Sequence, residues 1–394
     1  MFISFLRSLD RDARLILALA LTGSIAASSL VPVMGLFIVD ELGQPPWAIS
    51  LYFVIVTALT MGLNKRFGAA IDTGRDIRQL QLISIAAFLL ATMLLYFLTS
   101  YLVLLVVFAP LISLANTALS VGYSLGRLYA ERQQLDIARF NALLRIVTST
   151  GWIFGPAFAF VLLDSFSFRV AFLATFAIAV LRLALWTITL PGGFRAAQAP
   201  TGSGHTGRNH ILLIAATVSM LLSMTNVLYS SAMPLFFKYE AGLPGYAPGL
   251  SFAIKCLFEI PAIYFAAILA QRWGERRVLM AAAMLAVVVM LSITQLQSIP
   301  QLIVLAAAEG LYYGLFAGAA IGYIQGFAMG RMGQATATYV SSLFLGGMLG
   351  SALMGLMASL FDYQASIYLA AAAALAALPV LMLLKHLTPA PNPA

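Results

Sequence analysis

The chain has 394 residues, of which 62% are hydrophobic and only 9% charged, with a net charge of +8 and a mean hydropathy of +0.96. Soluble domains carry about 25% charged residues, so this composition excludes an ordinary water-facing surface. A single cysteine, Cys256, excludes an intrachain disulfide, and the three scattered histidines (His205, His210, His386) form no metal-ligand set.

The N-terminal stretch MFISFLRSLDRDAR contains two aspartates, and the apolar run after Arg14 is too long for the core of a cleaved signal peptide. Apolar runs of roughly 20 residues then recur along the whole chain, each long enough to cross about 30 Å of hydrocarbon. Twelve spans are predicted. They are Arg14–Val39, Trp47–Asn64, Gln79–Leu98, Leu102–Leu125, Phe140–Leu163, Val170–Leu190, Ile211–Phe237, Tyr246–Ala270, Val278–Leu296, Gln301–Gln325, Gln334–Leu360 and Ala365–Leu384. The expected fold class is an all-α polytopic membrane protein with twelve transmembrane helices.

The Pro-, Gly-, Ser- and Thr-rich stretch 191–210 reads as a flexible linker between six-helix halves at 1–190 and 211–394. A gapless internal repeat supports the division. Gly35–Phe53 and Pro234–Phe252 share Leu36/Leu235, Phe37/Phe236, Glu41/Glu240, Gly43/Gly242, Pro45/Pro244, Ala48/Ala247, Leu51/Leu250 and Phe53/Phe252. A weaker echo pairs Gly151-x3-Gly155 in span five with Gly346-x3-Gly350 in span eleven. Two parallel six-helix repeats joined by a linker describe the major facilitator architecture.

Lysine and arginine set the orientation. Seventeen lie on the side that holds both termini. The opposite loops hold only Arg169 and Lys238, and Arg145, Arg182 and Lys255 fall inside spans. Both termini are therefore expected in the cytoplasm. The basic charge belongs to short loops at the bilayer, which argues against a nucleic-acid partner.

The loop after span two, with Asp72, Gly74, Arg75 and Arg78, resembles the major facilitator loop motif one residue short. Asp72 and Arg75 are gating candidates, because a carboxylate at a helix end can latch to arginines of a neighbour. In span five, Gly155 permits close helix approach and Pro156 bends the helix, so both are further gating candidates.

Polar residues recur at steps of three, four or seven, which places each set on one helix face. Span four carries Ser113, Asn116 and Ser120; span five carries Asn141, Arg145 and Thr148; span seven carries Ser219, Ser223, Asn226 and Ser230. At about 1.5 Å per residue, Ser28, Asn116, Asn226, Glu259 and Glu309 fall near the bilayer midplane, where transporter sites concentrate. A charge at that depth costs at least about 2.5–3.5 kcal/mol. Lys255 and Glu259, four apart, can neutralise each other. Glu309 has no partner in its own span, and desolvation disfavours a charged carboxylate, which suits a reversible proton carrier. Arg182, near a span end, reads as a snorkelling residue. Tyr229, Tyr312, Tyr313 and Phe316 can form stacking faces for a sugar ring or serve as bundle packing.

Four stretches resemble the sugar efflux transporters of the SET type, within the major facilitator superfamily. These are Asn226-Val-Leu-Tyr229 with Met233–Phe236 and Glu240, Phe258-Glu259-Ile260-Pro261, Leu144-Arg145 with Trp152 and Gly155-Pro156, and Gly333-Gln334-Ala335-Thr336. The resemblance implies proton-coupled export of sugars or glycosides across a bacterial inner membrane by a protein that is not an enzyme. It carries Asn226, Glu259, Arg145 and Pro156 over as functional positions. Lys255 and Glu309 are not part of that pattern.

The expected substrate-binding set is Ser28, Asn116, Asn141, Arg145, Asn226, Tyr229, Lys255, Glu259, Tyr312, Tyr313 and Phe316, with Glu259 or Glu309 carrying the proton. The expected partners are a small sugar or glycoside, protons and the lipid bilayer. No cofactor is expected, and the working assembly is a monomer. The residues alone leave two other readings open: a low-selectivity drug or metabolite exporter, and a non-transporting receptor of the same fold.

Overall fold

The computed structural model describes residues 9–135, 137–188, 210–327 and 332–385. The linker expected at 191–210 falls outside them, apart from His210. Among the described residues, twelve helices are long and apolar enough to cross a membrane. They are α1 (Arg11–Glu41), α2 (Trp47–Asp72), α3 (Ile77–Phe97), α4 (Tyr101–Arg132), α5 (Ile137–Ser165) and α6 (Phe168–Ile188). The second six are α7 (His210–Tyr239), α8 (Ala247–Trp273), α9 (Glu275–Ile293), α10 (Ile299–Gln325), α11 (Met332–Leu360) and α12 (Tyr363–Lys385). No strand occurs among the described residues.

The helices overrun the apolar stretches at their charged ends. Helix α2 continues through Lys65 and Arg66 to Asp72, and α4 continues to Arg132. Hydropathy marks the hydrocarbon-crossing part of a helix. The backbone keeps its hydrogen bonds beyond it, while long basic side chains reach the interface. Helix α1 breaks at Val31-Pro32, resumes as an α-helical turn over Val33–Leu36 and ends in a short π-helical turn over Phe37–Glu41. Helix α4 carries a similar turn over Leu104–Phe108 and a break at Asn116-Thr117.

The chain separates into two compact units. One comprises Met1–Phe37 and Ile55–Ser203, and the other Ile38–Val54 and Gly204–Ala394. The inner packing of each unit repeats. In the first, Ser24 Oγ donates to the Thr148 carbonyl at 2.6 Å, and a Cβ added at Gly151 would lie 2.5 Å from the Ser24 Cβ. In the second, Ser223 Oγ donates to the Leu343 carbonyl at 3.0 Å, and a Cβ at Gly346 would lie 3.0 Å from the Ser223 Cβ. Gly43 and Gly242, matched in the repeat, turn the chain with nearly the same left-handed φ, +62° and +61°, a conformation open to glycine at no steric cost.

The segment Ile38–Val54 is held inside the second unit by several contacts. Ser50 Oγ donates to the Ser351 and Ala352 carbonyls at 3.0 and 2.8 Å, and a Cβ at Gly355 would lie 2.6 Å from the Pro46 carbonyl oxygen. Asp40 accepts from Lys238 and from the Tyr239 hydroxyl.

Candidate functional site

Helix α10 carries glycine once per turn at Gly310, Gly314 and Gly318, all facing α8. A Cβ at Gly310 would overlap the Lys255 carbonyl oxygen. At Gly314 it would lie 2.7 Å from the Glu259 carbonyl oxygen, and at Gly318 2.7 Å from that of Ile263. The two helices therefore meet backbone to backbone, the geometry that small residues one turn apart allow. The equivalent contact in the first unit is a hydrogen bond, Ser113 Oγ to the Val56 carbonyl at 3.1 Å. Val56 is the repeat counterpart of Lys255, so the charge is confined to the second unit.

On this scaffold Lys255 Nζ forms an ion pair with Glu309 Oε1 at 2.8 Å. It also donates to Asn226 Oδ1 at 2.6 Å and lies 4.9 Å from the centre of the Tyr313 ring. One lysine thus ties α8 to α10 and α7. The side chains of Lys255 and Glu309 are only 7% and 2% exposed, so the pair is closed off from surroundings that could screen it. Glu259, one turn along α8, is half-buried and has no hydrogen bond or ion pair among the described residues. It lies one residue from the midpoint of α8, and Glu309 three from that of α10.

Aromatic side chains pack around the pair. Tyr229, Tyr312 and Phe316 are fully buried. Tyr313 meets Phe316 edge-on at 5.7 Å, and the Tyr312 hydroxyl is buried with no hydrogen-bond partner among the described residues.

In the first unit Ser28 is fully buried, donating to the Gly151 carbonyl at 2.9 Å. Its hydroxyl is engaged in the α1–α5 contact, where a Cβ at Gly155 would lie 2.7 Å from the Ile25 carbonyl oxygen. Pro156 follows inside α5 and is buried. Asn116 Nδ2 reaches Thr60 Oγ1 at 3.5 Å, at the break in α4. Arg75 is exposed. The side chains of Asp72, Asn141 and Arg145 lie outside the described residues.

Two features went unread in the sequence. The Gly310/Gly314/Gly318 stripe was visible as a four-residue glycine period in span ten. The approach of Glu309 to Lys255 had no sequence signal, because spacing reports neighbours within one helix.

Twelve membrane-length helices among the described residues, with a buried ion pair inside one unit, define a polytopic helical membrane protein, and comparison with known proteins points to transporters. Residues 212–394 match the family model of the Major Facilitator Superfamily. The chain is 27% identical over 360 residues to sugar efflux transporter A of Escherichia coli, covering 90% of this chain and 91% of that one. It is 26% identical to sugar efflux transporter B of Salmonella typhimurium, covering 92% and 93%. The fold superposes on the nucleoside transporter NupG with a TM-score of 0.75 at 14% identity, covering 95% and 99%. It superposes on a bacterial homologue of the lysosomal transporter Spinster with a TM-score of 0.78 at 11% identity, covering 95% and 96%. The second half of the chain thus matches the major facilitator superfamily model, and the chain as a whole is similar to sugar efflux transporters and shares the fold of solved transporters.

Proposed function

We propose that the protein exports sugars or glycosides from a bacterial cytoplasm in exchange for protons, by alternating access between the halves 1–190 and 211–394. The observation that carries this reading is the half-buried Glu259 beside the Lys255–Glu309 pair, in a chain similar to sugar efflux transporters over nine-tenths of its length. A carboxylate near mid-helix that can gain and lose a proton supplies the coupling, because transferring charge into hydrocarbon costs at least about 2.5 kcal/mol and neutralisation removes that cost. Asn226, held by Lys255, and Tyr229, Tyr312, Tyr313 and Phe316 supply polar groups and ring faces of the kind that bind a sugar, with Ser28, Asn116, Asn141 and Arg145 contributing from the first half. Asp72, Arg75, Gly155 and Pro156 act in gating. The excess of basic residues on one side supports cytoplasmic termini and an inner-membrane location, and the working unit is a monomer.

The test is purified protein in proteoliposomes with an imposed proton gradient, offered a panel of sugars, glycosides and cationic drugs. Gradient-driven movement of a sugar or glycoside is expected. Movement of drugs alone would replace the substrate class. No movement of any compound would favour a non-transporting role.

A further inference from the structure

We propose that Glu259 alone takes up and releases the coupled proton, and that Glu309 and Asn226 hold Lys255 as a fixed, charge-neutral strut between α8, α10 and α7. The assignment rests on the proton-coupled reading above and decides between its two carboxylates.

Lys255 brings one positive charge, and Glu259 and Glu309 bring two negative ones. The lysine ammonium is committed to Glu309 at 2.8 Å and to Asn226 at 2.6 Å. It covers one carboxylate and leaves the other without a contact partner among the described residues. Removing one member of a buried ion pair strands the other charge in a medium that cannot solvate it. Protonating Glu309 would do the same to Lys255. Protonating Glu259 strands nothing.

Gly310 and Gly314 bring α10 onto the α8 backbone at Lys255 and Glu259, so main-chain contact sets the helix spacing at the pair, and the ammonium is anchored on two helices at once, by Glu309 of α10 and Asn226 of α7. Glu309 is enclosed, with its side chain 2% exposed. Glu259, on the next turn of α8, is only half-buried. The transfer is a single proton step. A proton bonds to one carboxylate oxygen of Glu259 from water on one side of the membrane and returns to water on the other, and no other bond is made or broken.

Two measurements test the assignment. In the first, infrared spectra of the purified protein in detergent are recorded across pH 5 to 9 for the absorption of protonated carboxyl groups. One pH-dependent signal is expected to vanish in Glu259→Gln and to persist in the Lys255→Met/Glu309→Gln double variant. If Glu259→Gln removes no pH-dependent signal, or if the double variant abolishes the signal that Glu259→Gln removes, the proposal is overturned; signals of other carboxyl groups such as Glu240 persist in both variants and do not bear on it.

In the second, proton-driven sugar accumulation is compared in proteoliposomes. Glu259→Gln is expected to lower it at least tenfold. Glu309→Gln alone lowers both accumulation and the melting temperature, and adding Lys255→Met recovers part of each, as a strut requires. Failure of the double variant to recover either quantity overturns the strut. If the unaltered protein accumulates no sugar on a proton gradient, the functional reading fails, while the infrared result still decides which carboxylate titrates.

Discussion

Ser24 and Ser223 make one bond twice. Each hydroxyl reaches across to a carbonyl of the fifth helix of its own half, Thr148 in one and Leu343 in the other. Each stands opposite a glycine, Gly151 or Gly346, that could not carry a Cβ without displacing its neighbour. The donors are 199 residues apart and the acceptors 195, so the repeat visible at residues 35–53 extends into helix packing with a four-residue difference in connection length.

Equal roles predict equal sensitivity. Gly151→Ala would press its Cβ to 2.9 Å from the backbone nitrogen of Ile25, and Gly346→Ala would overlap the Met220 carbonyl oxygen. In both cases main chain must shift. Each substitution is expected to lower the melting temperature in detergent by several degrees and to reduce the yield of folded protein. Gly62, on α2, has open space where a Cβ would stand. Gly62→Ala removes only a helix-weakening glycine, a gain of about 0.5–1 kcal/mol, and should melt at or above the unaltered protein. A Gly62→Ala variant as damaged as the other two would refute the packing argument.

The α8–α10 contact makes a sharper prediction, because it holds the ion pair as well as the helices. Gly310→Ala collides with the Lys255 carbonyl itself. If α10 is pushed back, Glu309 moves away from Lys255. Transport should then fall at least tenfold even in protein that still purifies as a folded monomer. Gly347→Ala meets only the Val227 Cγ2 at 3.7 Å, an ordinary van der Waals contact, and serves as the comparison. Transport by Gly310→Ala within a factor of two of Gly347→Ala would show that the close approach is dispensable.

The twelve spans, the repeat and the polar faces of α4 and α7 were legible because each depends on periodicity within one segment. The partner of Glu309 was not. A helix reports its neighbours at three and four residues, which pointed Lys255 to Glu259, whereas the bond it makes goes to a residue 54 positions away on another helix. Depth likewise placed Ser28 near the midplane but carried no sign that its hydroxyl reaches the Gly151 carbonyl on another helix. The true ends of α2 and α4 were also out of reach of hydropathy, which falls at the first charged residues while the helices continue to Asp72 and Arg132.

At the far end of α7, Glu240 caps α12, accepting from the backbone N–H groups of Tyr363 at 2.7 Å and Gln364 at 2.9 Å. A carboxylate there also meets the positive end of the helix dipole. Partial burial nevertheless pushes the Glu240 carboxyl above its ordinary range; nearby Asp362 adds to that, and the two N–H bonds oppose it. A carboxyl raised in the folded state binds more protons folded than unfolded, so its contribution to stability grows as pH falls through the window above the ordinary carboxylate value and shrinks as pH rises through it. The melting-temperature advantage of the unaltered protein over Glu240→Gln should therefore increase between pH 7 and pH 5. An advantage that shrinks over that range would mean that the capping bonds, rather than burial, set the balance.

Arg182 on α6 is a buried charge with no ion pair among the described residues. Its Nε makes no hydrogen bond among them, and its guanidinium rests on Gly23 of α1, where a Cβ would stand 2.5 Å from Cζ. One turn along α6, Trp186 lies against Arg78 and donates to its carbonyl at 3.3 Å, which fixes how α6 meets α3. An unsatisfied buried donor costs about 1–3 kcal/mol, so Arg182→Met, which keeps the apolar stem and removes the donor, should raise the melting temperature. Gly23→Ala should lower it, because the added methyl evicts the guanidinium from its seat. Residues in contact do not contribute additively, so in the Arg182→Met background, where a flexible thioether can move aside, the Gly23→Ala penalty should fall by at least half. A penalty of the same size in both backgrounds would show that Gly23 answers to the α1 backbone and not to the arginine above it.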